Sequence, residues 1–466
     1  MKKIALNQPA GLFYLFGVEV WERFSYYGMR ALLILYFTSH EWGMSDTKAY
    51  LTYGAYVAFV YMSPLIGGFV ADAFLGHSTS VKYGCVFILI GHLLLVLKSS
   101  FFLGLGFVVV GTGFFKSSIA ASIGRLYKKN DRRRDAGYTL FYMSVNIGSF
   151  FSLLAVPMLA KSFSWHVGFG AAALGMALGL LVFIQAGKKN VLPADHLQPS
   201  WKTQSLVVAL ALVSVLVFTY FIEHSTVTTH LLYAVALVAA VYLAYKAYRG
   251  GRTYVLAISA VLVMSLFYMV FLMLFEQTAT SVLLFTKRMV NLSFFTMTLS
   301  SASLQSLNPF FIIVLAPVCA SLWARWDSSV FTKMSLGLLL AGLAMSLFAL
   351  AAHMAISHVP VSLWWIVLAF ALVTMGELAS APVGLSAISK VSPADVVALL
   401  FGVWGIKSSF SNYFASHIAT FTDVGVNALG QAKAYFDVFF ALSVLGFVAA
   451  AVLLLLAPWL RRVFDI

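Results

Sequence analysis

Charge is what this sequence has least of. Acidic and basic side chains together make up 10% of its 466 residues, against roughly 25% in a soluble domain, which excludes an ordinary water-solvated globule. Cysteine is nearly absent: Cys85 and Cys319 are the only two, and both fall in apolar runs, so neither a disulfide scaffold nor a cysteine-ligated metal site is indicated. Short alternating apolar and polar segments are missing as well, which argues against a membrane β-barrel. No nucleotide-binding loop, metal-ligand cluster or nucleophile–base arrangement occurs in the loops, so the sequence does not read as an enzyme.

Apolar length is what the chain has in abundance. Hydrophobic residues make up 61% of it and aromatics 15%. Runs of about 20 apolar residues, enough to cross a ~30 Å hydrocarbon core, recur along nearly its whole length. In lipid such runs must be helical, because only a helix satisfies its backbone internally. The expected spans are 10–38, 48–74, 78–98, 101–126, 136–160, 165–186, 203–222, 228–248, 253–286, 297–324, 330–352, 360–389, 394–421 and 432–460. This gives an all-α membrane protein of about fourteen helices, grouped six, two and six. The polar stretch 187–202 and the basic turn 246–252 bracket the middle pair, which has no charge at its centre and reads as a lipid-facing insertion. The domains expected are therefore 1–186, 187–252 and 253–466, the outer two pseudo-symmetric with a site between them near mid-membrane.

The net charge of +14 suggests nucleic acid until its location is considered. Most basic residues sit in short loops, where they orient the protein. Twenty fall on one side of the alternation, including the run 128–134, and six on the other. That bias predicts that both termini are cytoplasmic. The N-terminal Met-Lys-Lys leads into a long apolar helix without a small-residue cleavage site, as expected of mature sequence.

Charges within spans cost about 2.5–3.5 kcal/mol each on insertion scales and mark function by default. There are eight: Arg23, Arg30, Lys116 and Lys407 against Glu19, Glu22, Glu276 and Glu377. Their sum is zero, as expected of groups that pair across a shared cavity. In the first span, Glu19, Glu22, Arg23, Tyr26, Tyr27 and Arg30 recur every three or four residues and share one helical face. Glu19 and Arg23, four apart, can pair directly. A carboxylate held beside a guanidinium stays ionised until a competing charge arrives, which is the behaviour of a proton-coupled switch.

The segment GVEVWERFSYYG (17–28) resembles the E-x-x-E-R-F-x-Y-Y signature of the proton-dependent oligopeptide transporters, a branch of the major facilitator superfamily. Further matches run through SPLIGGFVADAFLG (63–76), GTGFFKSSIAASIGRLY (111–127), DRRRDAGYTLFYMSVNIGS (131–149), FEQTATS (275–281), LQSLNPFFIIVLAP (304–317) and GELASAPVGLS (376–386). The extra helix pair also resembles bacterial members of that family.

The resemblance implies a major facilitator fold of two six-helix bundles with two extra helices between them. The expected function is a proton-coupled symporter that imports di- and tripeptides by alternating access, in the bacterial inner membrane. It would work as a monomer, with the proton as coupling ion and no cofactor or metal. By resemblance, Arg23, Arg30 and Lys116 bind the peptide carboxylate. Glu377 holds the amino group with help from Asn308, while Tyr26, Tyr27, Tyr61 and Trp404 line the pocket and Asn146 contacts the peptide backbone. Glu19, Glu22, Arg23 and Glu276 carry proton coupling, and the pairs Arg30–Glu276 and Lys116–Glu377 form gating salt bridges. Taken alone, Tyr26, Tyr27, Asn146, Asn308 and Trp404 also suit helix–helix packing or hydrogen bonding. His40, His224, His353 and His358 suit exposed loops, and Asp72 a gating role rather than substrate contact.

Three departures from the family pattern bear on specificity: Ser117 follows Lys116 where proline is usual, Ala381 precedes Pro382 in place of serine, and GHSTSVK (76–82) is poor in basic residues. Lys407, one turn beyond Trp404, is an addition expected to place positive charge near the lower cavity. The alternative function is a relative retuned to another small zwitterion or anion, such as an amino acid, a modified peptide or nitrate. The acid at Glu377 favours peptide, since a simple anion needs no partner for an amino group. A non-transporting receptor or scaffold would show a lost charge network and extra soluble domains, and the sequence has neither feature.

Overall fold

A computed structural model describes residues 8–128, 131, 133–193, 195, 197–294, 296–326, 328–357, 361–393, 396–425 and 428–464. Helix follows helix: α1 (Ala10–Phe37), α2 (Asp46–Val70), α3 (His77–Leu95), α4 (Phe101–Arg125), α5 (Arg134–Ser162), α6 (Trp165–Lys188) and α7 (Trp201–Glu223). Then come α8 (Ser225–Phe275), α9 (Ser281–Met289), α10 (Leu307–Arg325), α11 (Val330–Ile356), α12 (Leu363–Val391), α13 (Val397–Thr420) and α14 (Ala428–Phe464). Eleven stretches among the described residues are long and apolar enough to cross a membrane. One of them, Ser225–Met289, has the length of two spans. It is divided at Gly251, whose φ of 66° is open to glycine and costly for a side chain.

Most expected spans coincide with these helices to within a few residues. Two differ in kind. The span expected at 253–286 does not run through: α8 gives way to a 3-10 turn at Glu276–Ala279, and α9 restarts at Ser281. Thr278 and Thr280 bond back to Phe275 O and Glu276 O, at 2.7 and 3.1 Å, and hydroxyls of this kind compete with helical backbone bonding. The span expected at 297–324 starts late. Ser293–Phe294 and Met297–Thr298 pair as a short antiparallel hairpin, β1 and β2, followed by a 3-10 turn at Ser301–Ser306 before α10 begins. This stretch is rich in Ser and Thr, which favour turns over helix interiors.

By packing, the chain forms two compact units: Met1–Tyr36 with Phe59–His224, and Phe37–Ala58 with Ser225–Ile466. The middle helix pair is thus shared, α7 belonging to the first unit and the start of α8 to the second. In the first unit, Leu12, Leu15 and Val18 of α1 pack with Val81, Cys85 and Ile88 of α3 and with Met176 and Phe183 of α6. Leu12 and Leu15 stand one to two turns before Glu19 and Glu22 on the same side of α1, so the apolar contact and the start of the charged cluster follow one another along one face. The linker before α7 is fastened to the same unit. Asp195 accepts the backbone N–H of Ser78 at 3.0 Å and of Thr79 at 3.3 Å, capping α3 from 117 residues away, and lies 3.4 Å from Arg125.

The second unit is centred on α11 against α12 and α14. Phe348, Phe439 and Leu453 lie in that core, and Ser335 donates to Ala450 O at 2.7 Å. Its edge is tied by Arg288, whose guanidinium grips Asp46 through both nitrogens, at 2.5 and 2.7 Å, and reaches Tyr435 at 3.2 Å. His40, His224 and His353 are exposed as expected, although His353 lies on α11 rather than in a loop, and His358 lies outside the described residues.

Candidate functional site

The charged face of α1 is buried. Glu19, Glu22, Arg23, Tyr26 and Arg30 all lie within the packed interior, Glu22 with no exposure at all. Arg23 is clasped by both acids: its Nε is 3.0 Å from Glu19 and 2.5 Å from Glu22. Its guanidinium lies 5.5 and 6.0 Å from the ring centroids of Tyr26 and Tyr27, whose rings meet edge to face. A buried guanidinium ion-paired with two carboxylates and flanked by two aromatic rings is held in place.

Lys116 of α4 joins this cluster. Its ammonium sits 4.6 Å from the Tyr61 ring centroid and interacts electrostatically with Glu19, Glu22, Arg23 and Arg30. Two carboxylates therefore share this region with three cations, leaving the first unit with an excess of positive charge. Asn146 of α5 is buried and donates one amide N–H to Tyr142 O at 3.1 Å, which leaves its second N–H and its carbonyl oxygen for other contacts.

The charged site residues expected in the second unit, Glu276 and Glu377, are of the opposite sign. Asn308 of α10 donates to Glu377 of α12 at 2.9 Å and to Thr374 at 3.2 Å, while Thr374 itself donates to Phe370 O at 2.7 Å. Glu377 also feels Glu276, buried at the 3-10 turn that ends α8, so two like charges are electrostatic neighbours here. Trp404 of α13 stacks on Tyr268 of α8, with centroids 5.0 Å apart and planes within 3°. Lys407 lies over the same two rings.

The expected residues thus gather in two groups. Arg23, Tyr26, Tyr27, Tyr61, Lys116 and Glu19 with Glu22 come together in one unit; Asn308 with Glu377, and Trp404 with Lys407, in the other. Sequence reasoning missed Thr374 and Tyr268. Thr374 lies three residues before Glu377, on the same helical face, and that spacing is a usable signal. Tyr268, Phe271 and Phe275 repeat at helical spacing, but an aromatic stripe in an apolar helix looks like packing.

A sequence profile of the POT family matches residues 78–436, well over half of the chain. The chain belongs to the POT family. It is 32% identical to an uncharacterized transporter, YclF, of Bacillus subtilis, over 98% of this chain and 95% of the relative. It is 30% identical to dipeptide and tripeptide permease B of Photorhabdus asymbiotica, over 99% and 97%. Its backbone superposes on a crystal structure of the peptide transporter POT in complex with sulfate with a TM-score of 0.85, at 31% identity and 99% coverage of both chains. The fold is accordingly that of a multi-pass membrane transporter of major facilitator type, as the resemblance of the α1 signature implies.

Proposed function

We propose that this POT-family chain is a proton-coupled symporter that imports di- and tripeptides by alternating access. The observation that carries the reading is the split of charge: surplus cations around Arg23 and Lys116, and a carboxylate pair, Glu276 and Glu377, with Asn308 bonded to one of them. A peptide is a zwitterion, and fixed groups of opposite sign receive its two ends whatever its side chains are. Relatives named dipeptide and tripeptide permease or peptide transporter support the same substrate class.

In this reading Arg23, Arg30 and Lys116 take the peptide carboxylate, and Glu377 with Asn308 takes the amino group. Tyr26, Tyr27, Tyr61 and Trp404 give apolar walls with polar edges that tolerate varied side chains, and Asn146 meets the peptide backbone. Glu19, Glu22, Arg23 and Glu276 carry the coupling proton. The pairs Arg30–Glu276 and Lys116–Glu377 are the proposed gating links, each broken when its glutamate is protonated. The functional division remains 1–186, 187–252 and 253–466. We place the protein as a monomer in a bacterial inner membrane, both termini cytoplasmic, with the proton as its coupling ion and no cofactor.

Substrate class is tested by competition in proteoliposomes. Unlabelled di-alanine and tri-alanine should suppress uptake of labelled di-alanine, whereas free alanine and nitrate should not. Suppression by alanine or nitrate at concentrations comparable to the peptides would sink the peptide reading and favour a retuned transporter.

A further inference from the structure

Lys407 is the intramembrane charge that the peptide-end scheme leaves unused. It is 6% exposed, on α13. Its Nζ donates to Trp404 O at 2.9 Å and stands 3.9 Å from the Trp404 ring centroid and 4.5 Å from that of Tyr268. Among the described residues it forms no ion pair with a carboxylate. An ammonium has three donors; one is spent on a backbone carbonyl, and the two rings offer their faces to the charge. Such a group in a membrane span is costly without an anion, and its partner is the question it raises.

The surroundings are built around it. Tyr268 is stacked on Trp404 and also on Phe271, 5.5 Å away with planes within 4°, so the aromatic wall is continuous and stiff. Gly384 of α12 gives Trp404 its place: a Cβ there would lie 2.4 Å from the indole ring. Gly384 is seven residues, about 10 Å, along α12 from Glu377. A dipeptide whose amino group is held at Glu377 spans that distance when its second residue carries a long side chain. Neither of the two acids expected at the site in this unit forms an ion pair with Lys407. Glu377 already accepts from Asn308, and Glu276 lies eight residues, about 12 Å, from Tyr268 along α8.

Building on the peptide-transport reading, we infer that Lys407, with Tyr268 and Trp404, is a subsite for a carboxylate carried on a side chain of the transported peptide. The aromatic faces hold the ammonium in place and keep water from it, and an acidic side chain supplies the missing anion. The chain is thereby tuned toward acidic peptides. Neutral peptides are carried with the subsite unfilled.

The test compares Ala-Glu with its neutral isostere Ala-Gln, using Ala-Ala as reference, as competitors of labelled Ala-Ala in counterflow at neutral pH. Wild type should bind Ala-Glu at least about tenfold better than Ala-Gln, the effect of one hydrogen-bonded charge pair. Lys407→Gln should erase that ratio while leaving Ala-Ala unchanged, and Lys407→Arg should retain most of it. No preference for Ala-Glu in wild type overturns the inference without any variant, as does a Lys407→Gln protein that keeps the ratio. Equal loss for all three peptides overturns it too, and would mean a structural or coupling role. Failure of wild type to exchange Ala-Ala instead refutes the transport reading itself, and is distinguishable on that ground.

Discussion

Asn308 bonds to Glu377 at 2.9 Å, and the same amide nitrogen reaches Thr374 at 3.2 Å. The carboxylate is therefore aimed by two neighbouring helices, α10 and α12, before any substrate arrives. Preorganisation of this kind lowers the cost of binding an ammonium group. Replacing Asn308 with alanine should raise the apparent KM for di-alanine about tenfold, the value of one hydrogen bond to a charged group. Thr374→Val should cost less, since Thr374 is the longer contact. Counterflow kinetics read both, and an unchanged KM in Asn308→Ala contradicts the aiming role.

Glu22 separates coupling from binding. It is fully buried and 2.5 Å from Arg23 Nε. Neutralising that carboxylate removes its attraction for the guanidinium. Glu22→Gln should abolish accumulation driven by a proton gradient and leave peptide counterflow measurable. If both survive, Glu22 is not a proton carrier; if both vanish, its part is in binding or folding.

The Asp46–Arg288 pair predicts a stability effect at residues outside the proposed substrate set. It joins the start of α2 to the end of α9, 242 residues apart, in bidentate geometry. Asp46 is mostly buried and Arg288 about one-third exposed, so the cost of breaking it lies between that of surface and buried pairs, about 1–3 kcal/mol. Asp46→Asn should lower the thermal unfolding midpoint in detergent, and the swap Asp46→Arg with Arg288→Asp should recover part of the loss. An unshifted midpoint in Asp46→Asn contradicts this estimate.

Asp195 predicts a smaller loss with a local signature. It satisfies two amides at the start of α3. Asp195→Ala should cost about 1 kcal/mol, the usual value of a lost helix cap, and Asn should replace much of that capping. The linker before α7 should become more sensitive to limited proteolysis in Asp195→Ala than in Asp195→Asn. Equal sensitivity in the two variants and wild type would show that the linker is held by other contacts.

How far these features are legible in the sequence depends on the range of the interaction that makes them. The membrane helices are written in apolar length, and the α1 cluster in a three- and four-residue period, so both are local signals. The hydroxyl-driven break at Thr278 and Thr280 and the hairpin at Ser293–Thr298 are also local, but they sit inside or beside runs whose hydropathy still reads as span. Asp195 and Arg288 are invisible for another reason. Their partners are 117 and 242 residues away, and a lone acid or base in a loop looks like any solvated charge. Lys407 stands out as a residue in the sequence, but its aromatic setting needs Tyr268 brought alongside from another helix.

The most direct test of the account is accumulation of labelled di-alanine in proteoliposomes under an imposed inward proton gradient. Uptake should rise above the external concentration, collapse when a protonophore is added, and be absent from Glu22→Gln vesicles that still exchange peptide. Uptake that merely equilibrates and ignores the gradient would contradict proton-coupled peptide transport by this chain.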